Sequence, residues 1–458
     1  MTVLLAMSPL RTRTFLLALI FIGIFYYYSD EYLHSSSSQD FVTVPDTSQH
    51  GGDPDSTSTD LTTYASEVLL VSAFFPLNHS HRSDEEHEKW LGNFLDTIQT
   101  PIYLFTPPEI APLVKKQRGS LPITINSSYA NPFDVPPVRG LYDVYHKMRR
   151  QSKDRKGEEP GLYALRTSKS WFLSEAVKNY ESRLAPGSKS IGYVFWVDIG
   201  SFQDGLKVHD WPNIERVKEV FKEGAEATRR SEDEFMFFPM NDVPNLMIQW
   251  GKEQMGPFYR NFAQGVSPLP AFTFQAKTIL RLASFFGGTP NAVEWWKEVY
   301  LKYHDYWLFK RGAFVGQDRT MFNSLSLLFP GRIITVWPSD PYAPGLLEDK
   351  VNPLGVCGDM YVPIPPFHYP AVIFNSNLIC SRWYFRYFLS SQQEQRTVSA
   401  LLKSRVWRMP WQIFSPVEEC RLTRVLGMED VLRRNFGSGW NPPMAGLDLA
   451  VNYRPNPR

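Results

Sequence analysis

Short apolar runs of strand length alternate with longer segments in which apolar residues recur every three or four positions, starting near residue 67. The run at 68–74 (VLLVSAF) is rich in strand formers, and apolar residues at helical spacing follow it between Trp90 and Ile98. Further strands are predicted in the same way at 102–105, 123–125, 193–197, 234–240, 272–274 and 333–336. Because strands that alternate with helices form parallel sheets covered by helices, we expect an α/β fold with a mostly parallel sheet.

The helices predicted between these strands lie near 83–98, 162–180, 212–221, 291–309 and 318–328. The longest of them, 162–180, has one apolar face, and Lys169 interrupts that face. A lysine in such a place can lay its stem along apolar surface and keep its ammonium in water. It can also direct its charge into a site at the edge of the sheet, and the pattern leaves both interpretations open.

An uncharged apolar run, FLLALIFIGIFYYY, occupies residues 15–28, with two arginines before it and an acidic pair after it. By the positive-inside rule this arrangement predicts a cytosolic tail at 1–14, a transmembrane signal anchor at 15–29 and translocation of the rest. The alternative is a cleaved signal peptide, although three consecutive tyrosines are a poor cleavage site and are typical of a membrane interface. The short span favours a thin membrane, so we expect a single-pass type II protein of the Golgi or ER.

Residues 30–64 are rich in Ser, Thr, Asp, Gly and Pro and poor in apolar side chains, which predicts a flexible stem. The stem precedes a lumenal domain at 65–458 with a loop-rich C-terminal extension, and sequons at Asn78 and Asn126 fit a glycoprotein. The formal net charge of +1 gives no electrostatic footprint for nucleic acid. Three cysteines are too few for a disulfide-built fold.

The predicted strand at 193–197 runs directly into Asp198, and Gly200 and Ser201 follow. In open α/β sheets ligands bind outside the carboxyl ends of the strands, so a carboxylate here can hold a divalent cation that in turn holds a diphosphate. The alternative is that Asp198 only caps a turn or the next helix.

A second group of polar residues, GQDR at 316–319, stands where the helix at 318–328 is predicted to begin. Asp318 can be the N-cap of that helix, or it can face the mouth of the sheet as an acceptor ligand or general base. His368, in a PPFHY segment, can be a metal ligand or an ordinary residue of a surface loop.

The segment YVFWVDIGSFQDG at 193–205 resembles the W-[VL]-D-[AI]-G signature of the bacterial HtrL/YibB family. The likeness extends to TSKSWFLSEAVK at 167–178 and GQDRTMFNSL at 316–325, and in element order it covers about 67–336. That family looks like part of the GT-A glycosyltransferases, which have the nucleotide-diphospho-sugar transferase fold. An N-terminal anchor followed by a stem is similar to the layout of Golgi glycosyltransferases.

The resemblance implies that Asp198 is the first carboxylate of a D-x-D motif, with Gly200 in the place of the second. A bound Mn²⁺ or Mg²⁺ would then be completed by phosphates, water and another residue such as His368. Lys169, Asp198, Gly200 and Ser201 would bind the nucleotide-sugar donor, and Asp318 would face the acceptor as the catalytic carboxylate.

The function that these features imply is transfer of a sugar from a nucleotide-sugar donor to a glycan or glycoprotein acceptor. The glycine in place of the second carboxylate keeps an alternative open, a catalytically silent lumenal protein that binds glycans or organises enzymes. A glycoside hydrolase is a further alternative, and it would need two carboxylates facing each other at ~5–9.5 Å, with Asp198 and Asp204 as candidates.

Overall fold

The computed structural model describes residues 67–77, 84–151, 159–184, 190–203, 207–240, 284–338, 340, 342, 384–406 and 422–442. The chain divides into residues 1–59 and 60–458, and every described residue belongs to the second unit. The predicted anchor, the stem, Asn78, the strand at 272–274 and His368 lie outside the described residues. Among the described helices, none combines the length and the apolarity needed to span a bilayer.

The described residues form strands β1 Val68–Ala73, β2 Ile102–Phe105, β3 Ile123–Asn126, β4 Tyr193–Val197, β5 Met236–Phe237, β6 Phe285–Gly288, β7 Ile333–Val336 and β8 Val425–Gly427. Helices α1 Asp84–Leu95, α2 Ala111–Arg118, α3 Tyr142–Gln151, α4 Pro160–Glu181 and α5 Ile214–Thr228 belong to the first half of the fold. Helices α6 Pro290–Asp305, α7 Asp318–Leu328, α8 Tyr384–Phe388, α9 Gln392–Val406 and α10 Met428–Phe436 belong to the second half.

The strands form one sheet in the order β3-β2-β1-β4-β6-β5-β7-β8. Strands β1, β2, β3 and β4 pair in parallel, as do β5 and β7, whereas β6 and β8 run antiparallel to their neighbours. The fold is therefore a mixed α/β architecture with a central eight-stranded sheet flanked by helices, which is compatible with a GT-A-like fold. The expected parallel core is present, and the two antiparallel strands were not expected.

Alternate residues of each strand enter two separate hydrophobic cores, one on each face of the sheet. Leu69, Val71, Val194 and Trp196 belong to one core. Their strand neighbours Val68, Leu70, Phe195 and Val197 belong to the other. Successive side chains of a strand point to opposite faces, so a strand covered on both sides must be apolar throughout, as the run at 193–197 is.

Most predicted elements appear within a residue or two of their expected bounds. The helix expected at 83–98 ends at Leu95, and the one expected at 291–309 changes to a π-helical turn after Asp305. Two further elements differ for identifiable reasons. The strand predicted at 234–240 is reduced to Met236–Phe237, because Pro239 has no N–H to donate to a neighbouring strand. The backbone N–H groups of Phe238 and Met240 still donate to carbonyl oxygens of β7. The helix expected to open at Pro212 begins at Ile214, because the Asn213 side chain caps it by accepting from the backbone N–H of Arg216.

Strand β6 was missed because its sequence, FFGG, contains two glycines that resemble a turn signal. A Cβ at Gly287 would lie 2.1 Å from the carbonyl oxygen of Val194, and one at Gly288 would lie 2.4 Å from that of Phe235. The glycines therefore allow β6 to fit between β4 and β5, a requirement that only the neighbouring strands impose.

Candidate functional site

The ammonium of Lys169 lies between two carboxylates at the edge of the sheet where the parallel strands end. Its Nζ is 2.8 Å from Oδ2 of Asp198 and 2.7 Å from Oδ2 of Asp318. The three residues lie in the middle of α4, directly after β4 and at the start of α7. The structure thus brings together three residues that were each predicted to belong to the site.

Asp198 directly follows β4, and its side chain does not cap the 3-10 turn Ile199–Phe202 that comes next. Its Oδ2 accepts from Lys169, and its Oδ1 accepts from the indole Nε1 of Trp196 at 2.7 Å. The turn is instead closed through the backbone, where the Asp198 carbonyl accepts from Ser201 N–H at 2.8 Å. The turn-capping alternative for this side chain is therefore wrong.

Asp318 is the first residue of α7, and the N-cap position belongs to Gln317. The Oδ1 atom of Asp318 accepts from the backbone N–H of Arg319 at 2.8 Å, while Oδ2 pairs with Lys169. A carboxylate in the first helical turn is also favoured by the partial positive charge of the helix N-terminus. The expectation that Asp318 is the N-cap is thus wrong by one position, because the neighbouring glutamine occupies it.

The side chain of Lys169 runs past aromatic rings before it reaches the carboxylates, and only 8% of it is exposed. Its Nζ lies 5.7 Å from the centre of the Trp196 ring, which stacks at 6.0 Å on Phe172 of α4. The ammonium therefore points into the site and does not extend to water, so the snorkelling interpretation does not hold. Lys169, Asp198 and Asp318 thus form an ion-paired triad, whose contacts fix the position of the ammonium.

Burial and mutual attraction shift the pKa values of the three groups in different directions. Burial raises the pKa of Asp198, and the charge of Lys169 opposes this only in part. For Asp318, burial also acts to raise the pKa, but Lys169 and Arg166 outweigh it, so that its pKa is lowered. The two carboxylates together outweigh the effect of burial on Lys169, whose pKa is raised. An ammonium and at least one carboxylate are consequently charged at neutral pH.

The carboxylates also differ in access, because 33% of the Asp198 side chain is exposed and only 9% of the Asp318 side chain is. A ligand at this edge can therefore reach Asp198 more readily than Asp318. The acceptor-facing role predicted for Asp318 remains a prediction, and the geometry presents this residue chiefly as a partner of Lys169.

Gly200 and Ser201 lie in the turn that follows Asp198. A Cβ at Gly200 would meet Nε2 of Gln203 at 3.4 Å, so space alone does not demand a glycine there. Ser201 is fully buried, and within the described residues its Oγ has no hydrogen-bond partner. Its carbonyl accepts from Nη1 of Arg386 at 3.0 Å. Donor binding by these two residues remains a prediction.

The residues described at this site do not fit a divalent cation as they stand. Each of the four carboxylate oxygens of Asp198 and Asp318 already accepts from a donor, and two of the oxygens share the positive charge of Lys169. Within the described ranges, no group of three or more His, Cys, Asp or Glu side chains could hold a metal. A metal bound by Asp198, with or without His368, therefore remains a prediction from the sequence.

Sequence reasoning missed Trp196 as a site residue. It stands two positions before Asp198, and the period of two in a strand puts both side chains on the same side of the sheet. That spacing was a usable signal. It also missed a buried polar chain beneath α4, in which the Tyr145 hydroxyl contacts Thr167 Oγ1 at 2.9 Å and His304 Nε2 at 2.8 Å. Those partners come from three helices, so no local pattern could have joined them.

No protein-family model matches the chain, and no curated protein matches it significantly. Among solved structures, the chain is similar to the crystal structure of mouse xyloside xylosyltransferase 1 in its apo form. The two chains are 10% identical, and the match covers 58% of this chain and 84% of the other with a TM-score of 0.31. This likeness is too weak to assign an activity or the role of any residue.

Proposed function

We propose that this chain is a GT-A-type glycosyltransferase, similar to the HtrL/YibB family, that transfers a sugar from a nucleotide-sugar donor to a glycan or glycoprotein acceptor. The observation that carries the proposal is the ion-paired triad of Lys169, Asp198 and Asp318. A buried lysine held by two carboxylates is costly to assemble, because all three charges lose water. Its place where the parallel strands end is where open α/β sheets bind ligands.

The triad supplies what the transfer of a sugar from a diphosphate requires. Negative charge grows on the leaving diphosphate as the bond to the sugar breaks, and a fixed cation at that point lowers the barrier. Lys169 provides this cation, and its two partners hold it in one orientation. Asp198, the more exposed carboxylate, would accept from hydroxyl groups of the donor, and the turn at Gly200 and Ser201 would approach the donor through its backbone.

Asp318 is the residue proposed for the acceptor side of the site. Asp318 would face the acceptor hydroxyl, and it would act as a general base only if the anomeric centre inverts. Its lowered pKa keeps it ionised at neutral pH, as a base requires. The substitution Asp318→Asn should then reduce turnover more than it reduces donor affinity, which kinetic measurements separate.

A screen of nucleotide sugars by thermal shift and calorimetry, with and without Mn²⁺, tests the proposal. We expect at least one donor to bind, and we expect Asp198→Asn to weaken its binding or turnover by at least ~10²-fold. If the purified, folded protein binds glycans but no nucleotide sugar, the protein is a catalytically silent glycan-binding protein and the proposed transferase activity is refuted. The feature that favours this alternative is Gly200, which stands in place of a second carboxylate.

We also propose that the domain lies in the lumen of the Golgi or ER behind an N-terminal anchor at 15–29. The support is the charge asymmetry around the apolar run in the sequence. A C-terminal tag should be protected from protease in intact microsomes and digested after detergent is added. Digestion without detergent would contradict this topology, and with it a role in modifying secreted glycans.

A further inference from the structure

The resemblance to GT-A enzymes implies a metal–diphosphate site, but an ammonium occupies the place that a metal would need. We propose that Lys169 is a built-in cation that takes the metal's place between Asp198 and Asp318, so that the site binds a diphosphate without a divalent ion. This inference rests on the proposed function for the identity of the ligand, whereas the exclusion of metal from the carboxylate pair stands by itself.

Nζ of Lys169 lies within 2.8 Å of one oxygen from each carboxylate, which is where a cation shared by the pair would be. A magnesium ion held by the same two oxygens would need them at about 2.0–2.1 Å, closer than hydrogen-bond distance. The remaining oxygens accept from the indole of Trp196 and the backbone N–H of Arg319, so both carboxylates are also fixed in rotation.

Packing around α4 holds Lys169 in this position. It belongs to a 22-residue helix whose inner face is buried through neighbours such as Phe172 and Leu173. Its aliphatic stem is enclosed with only 8% of the side chain exposed, and the Trp196 ring lies beside its ammonium. A metal could enter only by displacing a buried charge, which would leave that charge without its partners.

The balance of charges around the carboxylate pair also disfavours a metal. When both carboxylates are ionised, Lys169 and its two partners carry one net negative charge, and Arg166 adds a positive charge that acts on Asp318. The attraction for a divalent ion is therefore much smaller than two unpaired carboxylates would exert. Counting Arg166, the four groups carry no net charge, and its place three residues before Lys169 on α4 puts both cations on one side of the helix, where they can act on a bound diphosphate.

Manganese binding to the purified full-length protein tests the exclusion of metal directly. Free Mn²⁺ is measured by its paramagnetic resonance signal in wild type, in Lys169→Met and in the control Lys178→Met, which changes an exposed lysine of the same helix. We expect wild type and the control to bind alike and weakly, and we expect Lys169→Met to bind Mn²⁺ at least about tenfold more tightly, because its two carboxylates have lost their cation. Saturable micromolar binding to wild type would overturn the proposal, as would a folded Lys169→Met that binds no better.

Calorimetry with uridine and guanosine diphosphates, in EDTA and in Mn²⁺, tests whether the site binds a diphosphate without a divalent ion. We expect a diphosphate to bind wild type with less than about a twofold difference between the two conditions, and to lose at least about tenfold in affinity in Lys169→Met. Binding that requires Mn²⁺ would overturn the proposal. If neither diphosphate binds under any condition, the proposed function fails, and the manganese titration still decides whether Lys169 replaces the metal. Should Lys169→Met fail to fold, the two wild-type measurements alone decide.

Discussion

Asp198→Asn separates a carboxylate that belongs to a charged site from one that only shapes a turn. In the structure both carboxylate oxygens accept, one from Lys169 at 2.8 Å and the other from Trp196 at 2.7 Å. The amide of asparagine has one acceptor oxygen and one donor nitrogen. Whichever way it turns, one of the two donors faces an NH₂ group and loses its partner.

The cost of this change follows from these contacts. A buried donor left unpaired costs about 1–3 kcal/mol. Two effects keep the cost toward the low end, because Lys169 keeps Asp318 as a partner and because the neutral amide avoids the burial of charge that raises the pKa of Asp198. We therefore expect the free energy of unfolding to fall by about 1–2 kcal/mol. A residue that merely caps a turn would show about no change, since asparagine caps as well as aspartate.

Urea unfolding followed by circular dichroism measures the change, with Asp96→Asn as the matched control. Asp96 pairs with Lys207 at 3.5 Å on the surface, so its substitution should cost less than about 1 kcal/mol. A double-mutant cycle with Lys169→Met should give a coupling of about 0.5–3 kcal/mol between residues 169 and 198. If Asp198→Asn matches wild type within about 0.5 kcal/mol and the coupling is absent, the side chain does not make these contacts and the reasoning is refuted.

Three further predictions concern the surroundings of the triad and the sheet. Trp196→Phe keeps an aromatic ring but removes a hydrogen bond that stabilises the charged form of Asp198, so the pKa of that carboxyl should rise further. An NMR titration of the carboxyl carbon that is identical to wild type would contradict this. Asp318 has a pKa below its ordinary value of 3.8, so its stabilising contribution is present above that pH and is lost as the pH falls through its folded pKa. Acid unfolding curves of Asp318→Asn should consequently be flatter than wild type below about pH 4. Gly287→Ala should destabilise the fold by about 3 kcal/mol, the upper part of the usual range for overpacking, because its Cβ would lie 2.1 Å from a backbone oxygen. Gly439→Ala, with nothing within 4 Å, should leave the melting temperature unchanged.

The sequence by itself determined much of the regular structure. A run such as 193–197 is short, apolar and bounded by polar residues, and these local properties are enough to predict a buried strand. The periodicity of 162–180 likewise predicted α4, and the helix at 318–328 was predicted with the bounds that the structure has. Asp198 and Asp318 could be singled out because they stand where a strand ends and a helix begins, which is visible in one dimension.

Only the tertiary structure decided how these pieces meet. The antiparallel β6 depends on glycines whose purpose is to clear the backbone of neighbouring strands, and β8 reaches the sheet from the far end of the chain. Lys169 was ambiguous in the sequence, because a lysine on an apolar helix face can extend its ammonium into water or direct it into a binding site. Its two partners come from other elements distant in the chain, and local periodicity carries no information about such contacts. They form only when packing brings α4, β4 and α7 to one edge of the sheet, where exclusion of water makes the three charges dependent on one another.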